Sequence, residues 1–218
     1  MCSITLLWST DLQETPSFTD FLFSRKNIAY KPSLLALELD QSGIVIDMFC
    51  SSQQFSAVQT AVDIKHRLNQ SSRVYSLPFI NEYVNIDLMS LTNLGEDVRV
   101  LKQMEDIPDF CRYPSNLELF EKHILPIIKN LIWLDHYSIQ SEKERKTNYN
   151  ILIVSHTSFI KDNFNFELKP GQVLRQTYQY KNITDKKPCE FERQYIPYFK
   201  TKKRTILHDV SKLPFLCG

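Results

Sequence analysis

One short stretch, residues 151–156, constrains the fold more than any other part of the chain. Four consecutive apolar residues, three of them β-branched, lead directly into Ser155 and His156. An unbroken apolar run of this kind is typical of a strand that is buried on both faces of a parallel sheet. In open α/β sheets the ligands lie beyond the carboxyl ends of such strands. The pattern therefore predicts that His156 lies at a sheet edge where a binding crevice would form.

Further apolar runs predict the other strands of the same sheet. Residues 3–7 are predicted as the central strand, and residues 44–50 as another buried strand that ends at two serines. A short strand is expected at 73–77. Residues 173–180 alternate between polar and apolar side chains, which indicates an edge strand.

Helices are predicted between these strands. Residues 32–39 follow a Pro-Ser start and are rich in helix-forming residues, with Gly43 closing the helix. Apolar residues at helical spacing predict a second helix at about 53–68. A third helix is expected within 89–104. A long fourth helix, beginning at Ser115 or Asn116, should be kinked or split at Pro126. A last helix begins at Thr157, directly after His156.

Two short motifs occur in a characteristic order, Ala57-Val58-Gln59-Thr60-Ala61 and then Val154-Ser155-His156. With the first strand they resemble the histidine phosphatase (phosphoglycerate mutase-like) superfamily over most of residues 1–180. In that family the first strand ends in Arg-His-Gly, a later strand leads into Arg-Ala-x-Gln-Thr-Ala, and a late strand ends in Ser-His-Gly. The resemblance implies an α/β fold, a three-layer α/β/α sandwich with a mostly parallel central sheet.

The departures from the family motifs fall on its catalytic positions. Aligned on the first strand, the nucleophilic His position carries Ser9, and the Arg before it carries Trp8. The second phosphate-binding Arg position carries Ser56. Only His156 and a pocket acid, Glu82, would remain. The resemblance therefore implies a pseudo-enzyme, with a degenerate pocket of Trp8, Ser9, Ser56, Glu82 and His156, no catalytic residue and no cofactor.

Three alternatives stay open for the pocket. His156 could be a buried, hydrogen-bonded remnant. It could act as base to Ser9 in a hydrolase of uncharged esters. A weakly active or phosphate-binding relative would use His156, Glu82 and the adjacent helix N-terminus to hold a phosphorylated ligand.

Composition excludes several other classes of function. The 218-residue chain has a net charge of +1 and four glycines, with no Gly-rich phosphate loop. Its five cysteines are scattered without a C-x-x-C pair, and neither His123 nor His136 has a second ligand at helical spacing, so no metal site is expected. No secretion signal or apolar stretch of about 20 residues is found, which predicts an intracellular, cytoplasmic or nuclear protein without membrane contact.

The last part of the chain differs in charge from the rest. Residues 181–218 contain nine Lys or Arg and four Asp or Glu, together with several aromatic residues. We therefore divide the chain into a domain at 1–180 and a basic, aromatic extension at 181–218 that packs on the domain or on a partner. The expected role is a scaffold subunit that binds other proteins of a larger complex, with nucleic-acid association through the extension as a further alternative. The candidate partner-binding residues are Phe18, Phe21, Phe23, Tyr195, Tyr198, Phe199, Lys202, Lys203 and Arg204.

Overall fold

A computed structural model describes residues 1–11, 31–81, 98–100, 116–134, 146–168 and 172–196. Seven strands in these segments form one sheet. They are β1 (Cys2–Thr10), β2 (Met48–Ser52), β3 (Val74–Leu77), β4 (Val98–Val100), β5 (Asn148–Ser155), β6 (Val173–Tyr180) and β7 (Glu190–Ile196). The order across the sheet is β4-β3-β2-β5-β1-β6-β7. The strand that ends at His156 is therefore the central one, with β1 beside it.

The sheet is mostly parallel. Strands β4, β3, β2, β5 and β1 are paired in parallel, whereas β6 runs antiparallel to both of its neighbours, β1 and β7. Six strands thus share one direction. Because β1, β2 and β5 are parallel neighbours, their carboxyl ends meet at one edge of the sheet.

Helices cover both faces of the sheet. They are α1 (Lys31–Ser42), α2 (Phe55–Arg67), α3 (Leu117–Leu119), α4 (Leu125–Ile132) and α5 (Thr157–Phe164), with a π-helical segment at Phe120–Ile124. Residues of α1 and α2 pack on one face in one apolar cluster, and residues of α4, α5 and the π-helical segment pack on the other face in a second cluster. The chain is therefore a three-layer α/β/α sandwich, as the sequence predicted.

The predicted long helix is interrupted just before its proline. The Asn116 side chain caps α3 by accepting hydrogen bonds from the backbone N–H groups of Glu118 and Leu119. The π-helical segment follows, and Pro126 lies in the first turn of α4. Proline has no N–H to complete an α-helical bond to the preceding turn, so a helix start suits it better than a helix interior.

Four sequence predictions are corrected by the sheet. The expected helix at 89–104 is wrong at Val98–Val100, which pairs as a strand with β3. Residues 173–180 are an interior strand, because β7 pairs along their outer side. The strand predicted at 44–50 begins at Met48. The central strand is β5, and residues 3–7, which were predicted as central, belong to its neighbour β1.

A chain of polar groups crosses the core on the α5 face. The Trp8 indole Nε1 donates to Gln176 Oε1 at 2.8 Å, and Gln176 Nε2 donates to Glu121 Oε1 at 3.0 Å. The Tyr178 hydroxyl donates to the same carboxylate oxygen at 2.7 Å. Burial, with the adjacent Glu121 carboxylate, raises the pKa of Tyr178 above its ordinary value. This network ties β1 and β6 to the π-helical segment.

Candidate functional site

Three polar side chains meet where the parallel strands end. Asp11 follows β1, Ser52 is the last residue of β2, and His156 follows β5. The strand register places them side by side at the edge of the sheet, since Thr10 pairs with Ser155 and Ser51 pairs with Val154. The edge predicted from the 151–156 stretch is thus the place where chemistry-bearing residues converge.

Both ring nitrogens of His156 are hydrogen-bonded. Its Nε2 lies 2.7 Å from Ser52 Oγ, and its Nδ1 lies 2.9 Å from Asp11 Oδ2. The backbone N–H of Gln54 also donates to Ser52 Oγ, at 3.3 Å. A carboxylate accepts, so Nδ1 carries the proton that faces Asp11; in the neutral imidazole Nε2 is then the acceptor for the Ser52 hydroxyl proton. The direction of hydrogen bonding is therefore Ser52 to His156 to Asp11.

The carboxylate has a second donor. The Ser56 hydroxyl, in the first turn of α2, donates to Asp11 Oδ2 at 2.6 Å. Within the segments that the structure describes, the side-chain partners of Asp11 are Ser56 and His156, and neither is Lys or Arg. Among the described residues, the site is therefore centred on a hydrogen-bond acceptor, the Asp11 carboxylate.

The site is closed around its serine. Ser52 has no exposed surface and His156 is 2% exposed, whereas the Asp11 and Ser56 side chains keep some contact with solvent. Two bonds hold the surrounding loops. The Ser155 hydroxyl donates to the Ile80 carbonyl at 2.8 Å, and the Gln53 N–H donates to Asn81 Oδ1 at 2.7 Å. Burial raises the pKa of the neighbouring Cys50 thiol, which disfavours its nucleophilic thiolate form.

The structure brings two of the five predicted pocket residues together, Ser56 and His156. Glu82 lies outside the described residues. Trp8 and Ser9 lie within the sheet, because β1 continues through Thr10. The Trp8 side chain is buried in the core on the α5 face. The Ser9 hydroxyl donates to the Thr10 carbonyl at 3.5 Å, whereas the hydroxyl that meets His156 Nε2 is that of Ser52.

Sequence reasoning missed Ser52 and Asp11. Both lie at the carboxyl end of a predicted apolar strand, as His156 does. Ligands lie beyond the carboxyl ends of parallel strands, and this rule applied to all three apolar runs identifies both residues. The alignment of the first run on Arg-His-Gly instead points to Ser9. The serine pair after residue 50 and the first acidic residue of the chain were the available signals.

The other predicted residues contribute little to this site. Tyr195 is partly buried, with its ring 4.4 Å from that of Phe166, so part of its surface is used within the domain. His123 is partly buried, with its ring 6.2 Å from that of Phe79. The remaining candidates are outside the described residues; they are Phe18, Phe21, Phe23, His136, Tyr198, Phe199, Lys202, Lys203 and Arg204.

No group of three or more His, Cys, Asp or Glu residues in the described segments is placed to hold a metal ion. None of the helices described is both long and apolar enough to cross a bilayer.

Comparison with known proteins gives matches only in structure. No protein-family model matches the sequence, and no curated protein matches it either. An ecdysone phosphate phosphatase from Bombyx mori is 12% identical, with a TM-score of 0.46 over 90% of this chain and 92% of that one. A phosphoglycerate mutase from Bacillus anthracis is 13% identical, with a TM-score of 0.46 over 89% of this chain and 92% of that one. A putative α-ribazole-5'-phosphate phosphatase from Escherichia coli is 15% identical, with a TM-score of 0.41 over 84% and 93%. The solved structures named here are thus two phosphatases and a phosphoglycerate mutase.

Proposed function

We propose that this chain is a pseudophosphatase, a histidine-phosphatase-like domain that does not transfer phosphate and that serves as a protein-interaction subunit of a larger assembly. The observation that supports the proposal most directly is the hydrogen-bonded set of Asp11, His156 and Ser52. These three side chains occupy the strand-end site and are hydrogen-bonded to one another.

Phosphoryl transfer through histidine makes three demands. It needs a free imidazole nitrogen in line with phosphorus, cations over the phosphate oxygens, and a proton donor for the leaving group. Here one nitrogen of His156 faces a carboxylate and the other faces a serine. A phosphate held about 4 Å from the Asp11 carboxylate would meet a repulsion of about 4 kcal/mol at an effective dielectric constant of about 20. The electrostatics therefore oppose the anionic substrate.

We expect the purified chain to hydrolyse p-nitrophenyl phosphate no faster than its His156→Ala variant. Because the site repels anions, millimolar phosphate or vanadate should leave the Tm unchanged. A ligand at about 100 times its Kd would add about 2.7 kcal/mol of stability, which a thermal melt detects readily. Phosphate ester turnover that requires His156, or a vanadate-dependent rise in Tm, would contradict the proposal and favour a phosphate-binding relative.

The interaction role is supported by the described edge of the sheet. Strand β7 pairs only with β6 among the described residues, and it alternates in its side chains. Phe191 is 50% exposed, and the Arg193 guanidinium lies 4.7 Å from the Phe164 ring. Strand edges that present apolar side chains are natural sites for pairing with another chain. We assign Phe191, Arg193 and Tyr195 as the β7 surface.

Phe191→Ser should weaken partner binding at least tenfold, since a large aromatic side chain at an interface contributes more than about 1.4 kcal/mol. The measurement is quantitative co-purification from native cells, followed by titration of the recovered partner. Val45→Ser is the control, because Val45 is 58% exposed and lies in the loop before β2. Retention of the partner by Phe191→Ser, or equal loss with Val45→Ser, would remove the β7 surface from the proposal.

A further inference from the structure

The network that disfavours phosphate has the composition of another kind of active site. A serine hydroxyl, a histidine and a carboxylate are joined in series by contacts of 2.7 and 2.9 Å. We infer that Ser52, His156 and Asp11 form a nucleophile relay in which Ser52 accepts acyl groups from uncharged esters. This inference goes beyond the proposed function, because it concerns acyl rather than phosphoryl chemistry.

The relay has the polarity that acyl transfer requires. The Gln54 N–H donates to Ser52 Oγ, which leaves the hydroxyl proton directed at His156 Nε2. Asp11 accepts from Nδ1 and so fixes the tautomer in which Nε2 is the base. Ser56 donates to the same Asp11 oxygen and holds the carboxylate in place. The Gln54 N–H therefore orients Ser52, Asp11 orients His156, and Ser56 orients Asp11.

Backbone donors for a developing oxyanion lie next to the nucleophile. Helix α2 spans 13 residues and begins three residues after Ser52. Its N-cap residue, Gln54, makes no capping hydrogen bond with its side chain. The first N–H groups of a helix carry its positive dipole end. In α2 the Ala57 N–H already donates to the Gln54 carbonyl at 3.1 Å, so the N–H groups of Phe55 and Ser56 are those that would stabilise negative charge on an acyl oxygen held at Ser52.

The charge at the site selects the class of substrate. The Asp11 carboxylate disfavours acids and phosphates, so the acyl donor is uncharged. Phe55, the first residue of α2, is 46% exposed and offers an apolar surface at the entrance. A neutral ester or thioester with an apolar acyl group fits these two features.

The chemical step balances with water as the only co-reactant. His156 Nε2 takes the hydroxyl proton as Ser52 Oγ forms a bond to the carbonyl carbon. The bond from that carbon to the leaving oxygen or sulfur then breaks, and Nε2–H protonates the leaving group. Water, activated by the same Nε2, releases the carboxylic acid and restores the Ser52 hydroxyl.

Access sets the rate of this step. Ser52 has no exposed surface, whereas Asp11 and Ser56 reach solvent, so a reagent must enter beside them while the site opens locally. We therefore expect slow acylation, with small reagents reacting faster than bulky ones.

The test is covalent labelling of the native full-length chain with phenylmethylsulfonyl fluoride. Ser52 displaces fluoride, so intact-mass analysis should show one added sulfonyl group, and peptide mapping should place it on Ser52. His156→Gln should slow labelling by about 100-fold or more, the usual contribution of a general base. Ser51→Ala is the matched control, because Ser51 is equally buried and its hydroxyl has no hydrogen-bond partner among the described residues. Its labelling should equal that of the unaltered chain.

Two results would overturn the relay. One is the absence of a Ser52 adduct after prolonged incubation. The other is a Ser52 adduct that forms at the same rate in His156→Gln, provided thermal melts show that this variant is folded. Phosphate ester hydrolysis is measured separately, so loss of the relay and loss of the pseudophosphatase proposal are distinguishable.

Discussion

Trp8→Ala is expected to lower the free energy of unfolding by about 3–5 kcal/mol, the usual cost of removing a fully buried large aromatic side chain. Trp8 has no exposed surface, and its ring lies 5.2 Å from that of Phe120 and 5.4 Å from that of Phe164. The substitution also leaves Gln176 Oε1 without its indole donor. Urea unfolding followed by circular dichroism measures the change.

The second tryptophan of the chain provides the control. Trp133 follows α4 and is 39% exposed. Its replacement by alanine should cost no more than about 1 kcal/mol, because little apolar surface returns to water. Equal losses for the two variants would show that Trp8 is not a core residue.

The burial of Trp8 also decides how the first motif is understood. Trp8 occupies the position aligned with a phosphate-binding arginine, yet its side chain lies in the core and not at the strand-end site. Arginine at this position would place a guanidinium among Phe120, Phe159 and Phe164. The carboxylate of the polar network, Glu121, already accepts from Gln176 and Tyr178. Trp8→Arg should therefore destabilise the fold without creating an anion site.

The fold was largely predictable because its central strands β1, β2 and β5 are mostly buried on both faces. The apolar run at residues 151–154 predicts an interior strand, and in the structure this strand, β5, is the central one. The helix pattern at 53–68 likewise gave α2, within two residues at its start and one at its end. Burial of both sheet faces leaves a strong pattern in the sequence.

The site was harder to predict because strand ends are not set by hydrophobicity. Ser9 and Thr10 are polar, and they nevertheless continue β1 because their backbones pair with Val154 and Ser155. That extension moves the strand-end position from Ser9 to Asp11. Ser52 carried no motif of its own, and only the register of β2 against β5 places it beside His156. Pairing between strands distant in sequence decides both positions.

Strand β7 escaped prediction for a different reason. Its residues alternate Phe191, Arg193 and Tyr195 with polar neighbours, which is a strand pattern. The basic composition of residues 181–218 describes the extension as a whole, and it obscures this local periodicity. Composition averages over a segment, whereas strand pairing depends on alternate residues.

The Asp11–His156 contact should appear as a coupling energy in a double-mutant cycle. Asp11→Ala leaves the buried Nδ1–H without an acceptor, so we expect a loss of about 1–3 kcal/mol of unfolding free energy. His156→Ala removes the donor and should cost a similar amount. The double variant has neither the Nδ1–H nor the carboxylate, so no partner is left unpaired. Its loss of unfolding free energy should therefore be smaller than the sum of the two single losses by about 1 kcal/mol or more.

Asp63 supplies the control for this cycle. It accepts from Gln59 one turn away on α2, at 2.9 Å, and that contact is only partly buried. Asp63→Ala should cost less than about 0.5 kcal/mol and combine additively with His156→Ala. If Asp11→Ala were also additive with His156→Ala, the 2.9 Å contact would carry no energy. Asp11 could then neither fix the His156 tautomer nor orient the base that Ser52 needs, so the stability cycle tests the relay without any substrate.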